Sequence, residues 1–390
     1  MKKKLLFSSL VLLLTVTLVA CSAAPGARSQ GTSGTEVRKT LKLGLNLELT
    51  GSVSAYGSAE EKGAKLAVEE INKTGGVDGK KIELITKDNK SDNSEAATVT
   101  TNLATESKVN VVVGPATSGA TAAASPNASQ AAVPLITPSG TTDNLTLTSD
   151  GKANPYTFRA TFVDSYQGDI LAKYASDHLK AKKVVLFYDN SSDYAKGIAK
   201  RFKKVYQDTI VAEATFQSGD TDFQSALTKL KGQNYDAVIM PGYYQETGTI
   251  IKQAREMGIT APIVGPDGFA DEKLVELAGA SNANKVYYIS GFSASSSDKA
   301  VQFAKAYQSK YGVAPSMFAA LAYDSVYMAA DAAKGTKTSV DIAKNLAKLK
   351  DFEGVTGTMT IDKKHNPVKS VSVVELTDGK ESASTTVRAD

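Results

Sequence analysis

The chain has 390 residues, of which 42% are hydrophobic and 22% charged, and its formal net charge is +4 at pH 7. Residues 1–20 carry three lysines and no acidic residue, so the other 370 residues have a net charge of only +1. A chain this close to neutral lacks the strongly basic surface typical of nucleic-acid binding. Its length is sufficient for two domains, each with a hydrophobic core of its own.

The first twenty residues have the pattern of a secretory signal. Three lysines at 2–4 precede an apolar run at 5–20, and the tetrapeptide LVAC ends at Cys21, the single cysteine of the chain. The run is shorter than the roughly 20 apolar residues that span a membrane. A cysteine directly after small residues resembles a bacterial lipobox, which implies cleavage before Cys21 and lipid on its thiol. We therefore expect a signal peptide at 1–20 and a lipid anchor on the outer face of the cell membrane, in an organism of Gram-positive type.

Residues 21–39 have the composition of a flexible tether. They are rich in Gly, Ser and Thr and contain almost no large apolar side chains, so they cannot bury enough surface to offset the entropy of ordering. We expect this lipidated segment to hold the folded body away from the membrane.

From residue 41 onward, strand patterns alternate with helical patterns. Leucine at every second position of 41–49 predicts a strand with one apolar face. Such alternation predicts βαβ units around a parallel sheet. The further elements predicted in this first series are helices at 59–73, 92–107 and 118–132 and strands at 81–87, 109–113 and 133–136.

A second series of the same kind begins near residue 164, and it suggests a second, similarly built lobe. Its last part departs from the alternation, with three consecutive helical patterns and then strand patterns at 356–375. The elements predicted in this series are helices at 164–179, 193–207, 223–231, 245–257, 273–277, 298–311, 317–333 and 340–349 and strands at 183–188, 210–215, 237–240, 262–264 and 286–289.

The sequence matches no complete template for catalysis. His178 and His365 are the only histidines, both are expected at the surface, and neither forms a metal-ligand spacing with another residue. The fragments KTG, SDN and SSDK occur, but their order along the chain is the reverse of that in β-lactamases. No phosphate-binding loop is present. We predict no enzymatic activity, no metal and no cofactor, and keep a lipid-anchored hydrolase as an alternative.

Three turns that follow predicted strands could bind a small charged molecule. VGPATSG at 113–119 leads into a helix, whose N-terminus attracts a carboxylate, and TPSGT at 137–141 is similarly small and rich in hydroxyls. GPDG at 265–268 lies in the second series and contributes an acid. Because sites in open α/β sheets lie beyond the carboxyl ends of strands, the three turns could together bind a zwitterion.

At these motifs the chain resembles a known family, the leucine/isoleucine/valine-binding proteins, which are type I periplasmic-type solute-binding proteins of ABC importers. The resemblance extends from about residue 41 to the last strands and rests on the order and spacing of its motifs. These are LTG and YG within 49–57, GAKLAVEEIN at 63–72, GGVDGK at 75–80, the three turns above, YAKG at 194–197 and PGYY at 241–244.

The resemblance implies a role for each residue of a ligand site. Ser118 and Thr141 would hold the α-carboxylate of an amino acid, partly through their backbone N–H groups. The Ser139 carbonyl, the Thr141 hydroxyl and Asp267 would receive the α-ammonium, with Asp267 standing where the family commonly has Glu. The aromatic members of the implied site are Tyr194 and Tyr243, which would approach from the second lobe, and Tyr56 and Phe318, which would line the side-chain pocket.

The resemblance also implies an architecture and a function. The fold would be α/β, with two Rossmann-like lobes, parallel central sheets and a hinge of three crossovers near Arg159, Val286 and Ser370. One lobe would comprise 40–160 with 287–370, and the other 161–286 with 371–390. The chain would act as a monomer that binds branched-chain amino acids and delivers them to the membrane permease of an ABC transporter. A different small ligand (another amino acid, an amide, urea or an aromatic acid) and a surface-tethered sensor stay open as alternatives.

Overall fold

The computed structural model describes residues 34–388. The predicted signal peptide at 1–20, Cys21, residues 22–33 of the predicted tether and residues 389–390 lie outside the described residues. Within the described part, helices and strands alternate along most of the chain, as the hydrophobic patterns predict.

The strands are short where both faces of a sheet are covered. β3 and β8, as numbered below, consist only of buried Val, Ala and Ile, which is typical of parallel sheets covered by helices on both faces. The strands of the described part are β1 Leu41–Leu47, β2 Ile82–Asp88, β3 Val111–Val113, β4 Leu135–Thr137, β5 Thr157–Arg159, β6 Lys183–Asp189, β7 Thr209–Phe216, β8 Ala237–Ile239, β9 Ile263–Gly265, β10 Val286–Ser290, β11 Phe352–Gly354, β12 Gly357–Met359, β13 Val371–Thr377 and β14 Lys380–Val387.

The helices lie mostly between consecutive strands, and several begin at a Ser, Thr or Asp that caps the first turn. One π-helical turn, Tyr174–His178, continues the fourth helix. The helices of the described part are α1 Ser54–Lys73, α2 Asn93–Thr105, α3 Ser118–Ala131, α4 Asp164–Lys173, α5 Asp193–Val205, α6 Gln224–Lys231, α7 Tyr244–Glu256, α8 Glu272–Ala278, α9 Asp298–Tyr311, α10 Met317–Ala333 and α11 Ser339–Leu346.

The strands form two large sheets with the same parallel core. The first sheet has the order β2-β1-β3-β4-β5, and all of its pairs are parallel. The second sheet has the order β14-β13-β10-β9-β8-β6-β7, in which β7-β6-β8-β9-β10 repeats the arrangement of the first. Each lobe therefore has a parallel central sheet, and the five parallel strands are connected in the same order in both.

The second sheet differs from the prediction at its edge. The predicted strand patterns end at residue 375, but the sheet gains an antiparallel hairpin of β13 and β14, which pairs with β10 through β13. Strand β10 also runs to Ser290 within this sheet. The predicted lobe boundaries stay a prediction, and the extent of β10 favours a crossing after Ser290 rather than at Val286.

Two further expectations from the sequence are corrected. β5 was not predicted, because its sequence TFR has a single apolar residue between Thr157 and Arg159 and so lacks the apolar run that marks a buried strand. His365 is not a surface residue: it is 7% exposed and its ring stacks on Phe158 at 4.3 Å between centroids, while His178 is exposed as predicted.

The chain passes between the two sheets at three places, which follow β5, β10 and the short β11–β12 hairpin. One apolar cluster contains buried residues of both lobes, including Tyr56 and Phe318 from the first and Tyr194 from the second. The lobes are thus in contact in this structure. Among residues 34–388, no helix is both long enough and apolar enough to cross a membrane.

Candidate ligand-binding site

The site lies where the strand order reverses in both sheets. In the first sheet this occurs between β1 and β3, and in the second between β6 and β8. Helices on either side of such a point diverge, so the turns at the carboxyl ends of the strands enclose a crevice. The turns after β3 and β4 face it from the first lobe, and those after β8 and β9 from the second.

All eight residues predicted for the site line one cavity between the lobes. Seven of them are buried, with exposed fractions of 1–6%, and Tyr243 is half-buried. The contribution of each to ligand binding stays a proposal. The lining residues are Tyr56, Ser118, Ser139, Thr141, Tyr194, Tyr243, Asp267 and Phe318, together with Ala116, Thr117 and Gly268.

Ser118 connects the two turns of the first lobe. It is the first residue of α3, at the positive end of the helix dipole. Its Oγ accepts the N–H groups of Thr141, at 3.0 Å, and Thr142, at 3.2 Å. The Thr141 N–H, predicted to face a ligand, is therefore already bonded, and the hydroxyl proton of Ser118 is the group that stays free to donate.

Ser139 is held by a buried acid that sequence reasoning missed. Its Oγ lies 2.6 Å from Glu60 Oε1 and 2.8 Å from the carbonyl oxygen of Ala116. A hydroxyl has only one proton for these two acceptors, and burial raises the pKa of Glu60 well above its usual range. The Ser139 proton is shared between Glu60 and Ala116, and its hydrogen bond to Glu60 opposes the rise in that pKa.

Glu48 holds the residues that precede α3 by hydrogen bonds. Sequence reasoning also missed this role. Its carboxylate accepts the N–H of Ala116 and the N–H and hydroxyl of Thr117, at 2.8–3.0 Å. Burial raises its pKa, and these three hydrogen bonds counteract the rise. The available signal was a single acid at the end of an otherwise apolar strand pattern.

Asp267 is the acid of the second lobe at the cavity. Tyr194 Oη donates to Asp267 Oδ1 at 2.5 Å, and the Asp267 N–H donates to Gln167 Oε1 at 2.9 Å. Burial raises its pKa to about 6, while the hydrogen bond from Tyr194 favours the ionised form. A cation beside Asp267 would bring the pKa down again, so this carboxylate is suited to an ammonium group.

Asp164, at the start of α4, is a second buried acid near the site. Neither of its oxygens has a hydrogen-bond partner of good geometry among the described residues. Burial raises its pKa well above the usual range, although the Thr141 hydroxyl and Arg159 lie near enough to favour ionisation. Arg159 in turn donates to the carbonyl oxygens of Gly140 and Thr142, at 3.1 and 2.8 Å. Asp164 was missed because it follows β5, the strand that the sequence pattern did not reveal.

Two aromatic stacks border the cavity. Tyr56 stacks on Phe318 with centroids 4.2 Å apart, and Tyr194 stacks on Tyr243 at 4.9 Å. The first pair comes from α1 and α10 of the first lobe and the second pair from the opposite lobe. Aromatic faces of this kind form an apolar wall for a hydrocarbon side chain.

Together these groups suit the binding of a zwitterion with an apolar side chain. Donors on the first lobe suit a carboxylate, Asp267 on the second lobe suits a cation, and the aromatic rings suit an apolar side chain. The described residues that line the cavity include no histidine, lysine, arginine or cysteine. In residues 34–388 there is also no cluster of three His, Cys, Asp or Glu side chains placed to hold a metal ion.

Comparison with known proteins agrees with this geometry. Residues 40–381 match the family model described as periplasmic binding protein. The isoleucine complex of LivJ, a branched-chain amino acid transporter substrate-binding protein from Streptococcus pneumoniae strain Canada MDR_19A, is 57% identical. It superposes with a TM-score of 0.87 over 90% of this chain and 99% of that one.

More distant relatives show the same relationship. The leucine-binding protein LivK of Thermotoga maritima MSB8 is 29% identical, with a TM-score of 0.81 over 89% of this chain and 99% of that one. A leucine-, isoleucine-, valine-, threonine- and alanine-binding protein of Pseudomonas aeruginosa is 29% identical over 83% of this chain and 86% of its own length. The predicted family resemblance and the two-lobed α/β fold are confirmed: the chain belongs to the periplasmic binding protein family.

Proposed function

We propose that this chain captures branched-chain amino acids between its two lobes and delivers them to the permease of an ABC importer. The observation that carries the proposal is the placement of opposite chemistry on opposite lobes. The Ser118 hydroxyl at the start of α3 faces the cavity from the first lobe, and the buried Asp267 carboxylate faces it from the second. A zwitterion that touches both would favour the closed arrangement over an open one.

The residue roles are those that the family resemblance implies, with one change. Ser118 binds the α-carboxylate through its hydroxyl, because the Thr141 N–H already donates to Ser118 Oγ. The Ser139 carbonyl, the Thr141 hydroxyl and Asp267 receive the α-ammonium. Tyr194 and Tyr243 close over the ligand, while the stacked rings of Tyr56 and Phe318 contact its side chain. These rings provide no charged partner for a side chain, which favours leucine, isoleucine and valine.

The lining of the cavity restricts the ligand further. It offers hydroxyl groups, one carboxylate and aromatic rings, which suit a single zwitterionic amino acid with an apolar side chain. The relative that binds threonine and alanine as well indicates that shorter side chains should be tested.

Titration calorimetry with leucine, isoleucine and valine tests the proposal. We expect dissociation constants of about a micromolar or tighter, near −8 kcal/mol. Asp267→Ala should cost about 2–5 kcal/mol, because it leaves a buried ammonium without its partner. Glu256→Ala, which removes an exposed acid of the same lobe, is the matched control and should bind normally.

Two outcomes would contradict the proposal. Absence of heat with every proteinogenic amino acid would exclude an amino-acid carrier. Unchanged affinity in Asp267→Ala would remove Asp267 from the site. A thermal-shift screen that includes amides, urea and aromatic acids would then identify the class of ligand.

We further propose that the protein works as a monomer on the outer face of the cell membrane, anchored by lipid on Cys21. Residues of both lobes of one chain line the cavity, which supports a single copy as the binding unit. Two or more acyl chains hold a protein stably on a bilayer. An anchored protein with a flexible tether stays beside its permease instead of diffusing away.

Replacing the anchor residue separates tethering from binding. Cys21→Ala should move the protein from the membrane fraction to the soluble fraction, and amino-acid affinity should not change. Fractionation with immunodetection measures the first and calorimetry the second. A variant that stays with the membrane would exclude the thioether anchor, and one that loses affinity would show that residue 21 does more than tether.

A further inference from the structure

The first turns of α1 and α7 meet across the two lobes. α1 begins in the first lobe at Ser54, and α7 begins in the second at Tyr244. In the described part of the chain, neither helix has a side-chain hydrogen bond from its own N-cap residue. The first N–H groups of a helix have no acceptor within the helix and need one from elsewhere.

A tyrosine from each helix supplies that acceptor to the other. The Ala55 N–H of α1 donates to Tyr244 Oη at 3.1 Å, and the Tyr244 N–H of α7 donates to Tyr56 Oη at 3.2 Å. The two rings pack edge to face, with centroids 4.9 Å apart and planes at 88°. Both tyrosines are nearly inaccessible to solvent, at 1% and 2% exposed.

The exchange continues to the acid of the ligand site. Tyr56 Oη donates to the carbonyl oxygen of Gly268 at 2.5 Å, and the Gly268 N–H donates to Tyr194 Oη at 3.0 Å. Tyr194 then donates to Asp267. Gly268 is thus bonded through its carbonyl oxygen to Tyr56 of the first lobe and through its N–H to Tyr194. Tyr194 is also the residue that orients Asp267.

The hydrogen bonds that Ala55 and Tyr56 of α1 form with Tyr244 and Gly268 all join the first lobe to the second. If the lobes separate, water can satisfy Ala55 and Tyr244, so the hydrogen bonds count only toward the closed state. One ordinary hydrogen bond corresponds to about a two- to tenfold change in an equilibrium constant. The edge-to-face packing of the rings acts in the same direction.

We propose that Tyr244 and Tyr56 form an interlobe clasp that sets the equilibrium between open and closed lobes and so the residence time of the ligand. Tyr244 is a positioning residue, because it does not line the cavity and acts through Tyr56 and α1. Its effect on ligand residence rests on the proposed function, whereas its effect on lobe closure does not.

The test compares Tyr244→Phe with Tyr206→Phe. Tyr206 donates its hydroxyl to the carbonyl oxygen of Ala181 at 3.0 Å, wholly within the second lobe. This control loses a hydrogen bond of the same kind that does not join the lobes. Each variant is made in the full chain, and association and dissociation rates of leucine are measured by stopped flow. For lobe separation, dyes are placed at Thr105→Cys and Lys204→Cys, two exposed positions on different lobes, in a Cys21→Ala background.

For Tyr244→Phe we expect leucine to dissociate about two- to tenfold faster, with less than about a twofold change in association. Single-molecule energy transfer should show the ratio of closed to open ligand-free protein falling by a similar factor. Tyr206→Phe should leave the rates and the lobe separation as in the unmodified protein.

The clasp is excluded if Tyr244→Phe matches Tyr206→Phe in both measurements. It is also excluded if Tyr244→Phe weakens leucine binding only by slowing association, with unchanged lobe separation. A protein that binds no branched-chain amino acid would overturn the proposed function. The lobe separation of ligand-free protein would still decide whether the clasp exists.

Discussion

At the scale of single residues, the site contains several buried carboxyl groups. Burial raises the pKa of Glu48, Glu60, Asp164 and Asp267, and Asp267 reaches about 6. A buried acid without a cation favours the protonated form, so its ionisation at neutral pH opposes folding. The ligand-free protein therefore carries a stability cost that an ammonium group would relieve.

Asp267→Asn should stabilise the ligand-free protein at neutral pH. The folded pKa of about 6 lies above the ordinary 3.8, so the fold loses stability as pH rises through this window and not as it falls. A pKa difference of about two corresponds to about 3 kcal/mol, and we expect a gain of about 1–3 kcal/mol at pH 7. Urea unfolding at pH 4, 5, 6 and 7 measures it.

The gain should shrink as pH falls to 4, where Asp267 is protonated in the folded protein and roughly half protonated in the unfolded chain. Glu256→Gln, an exposed acid in the same lobe, is the control and should give no such trend. The argument fails if Asp267→Asn is no more stable than the unmodified protein at pH 7, or if its advantage grows toward acid pH.

At the scale of elements, the sequence predicted best what depends on local pattern. Small polar residues directly after an apolar strand predicted the turns that carry Ser118, Thr141 and Asp267, because parallel strands end at a common edge. Those three residues do line one cavity. A few adjacent residues determine both the type of turn that follows a strand and its position along the chain.

What depends on tertiary contact was not predictable. β14 has the sequence KESASTTV and is exposed along most of its length, so it lacks the apolar alternation that identifies a strand and forms only by pairing with β13. Glu60 lies in a predicted helix, where an acid normally faces water. Its burial against Ser139 arises from the way that α1 packs on the first lobe.

The packing of α1 explains part of this arrangement. A Cβ built on Gly63 would lie 2.0 Å from the carbonyl oxygen of Ala319 in α10, closer than any real side chain allows. Glycine therefore lets the two helices approach, which brings Tyr56 and Phe318 into the stack that borders the cavity. The motif containing Gly63 was visible in the sequence, but its partner helix was not.

At the scale of the whole molecule, the two lobes depend on the crossovers that join them. Lys369 lies just before β13, on the third crossover, and its ammonium donates to the carbonyl oxygen of Ala160 on the first, at 3.1 Å. It also donates to the hydroxyl of Thr356 and lies near Asp324, a buried acid of α10. One side chain thus ties two hinge segments to the first lobe.

The same contact should give the stability of the molecule a recognisable dependence on alkaline pH. Burial lowers the pKa of Lys369 from 10.5 to about 8, although Asp324 favours the charged form. Between these values the unfolded chain binds more protons than the folded one, so stability rises with pH. Relative to Lys369→Met, the unmodified protein should gain about 1–3 kcal/mol between pH 8 and pH 10.5.

Urea unfolding of both proteins at pH 7, 8, 9 and 10.5 measures this difference, and Lys364→Met, which removes a nearby exposed lysine, is the control. The control should follow the unmodified protein at every pH, because an exposed lysine has nearly the same surroundings before and after unfolding. If Lys369→Met also follows the unmodified protein throughout, the ammonium is hydrated rather than buried, and the hinge is held by its backbone alone. If the difference instead falls as pH rises, Lys369 gains more from Asp324 than it loses by burial, and the third crossover is fixed by an ion pair.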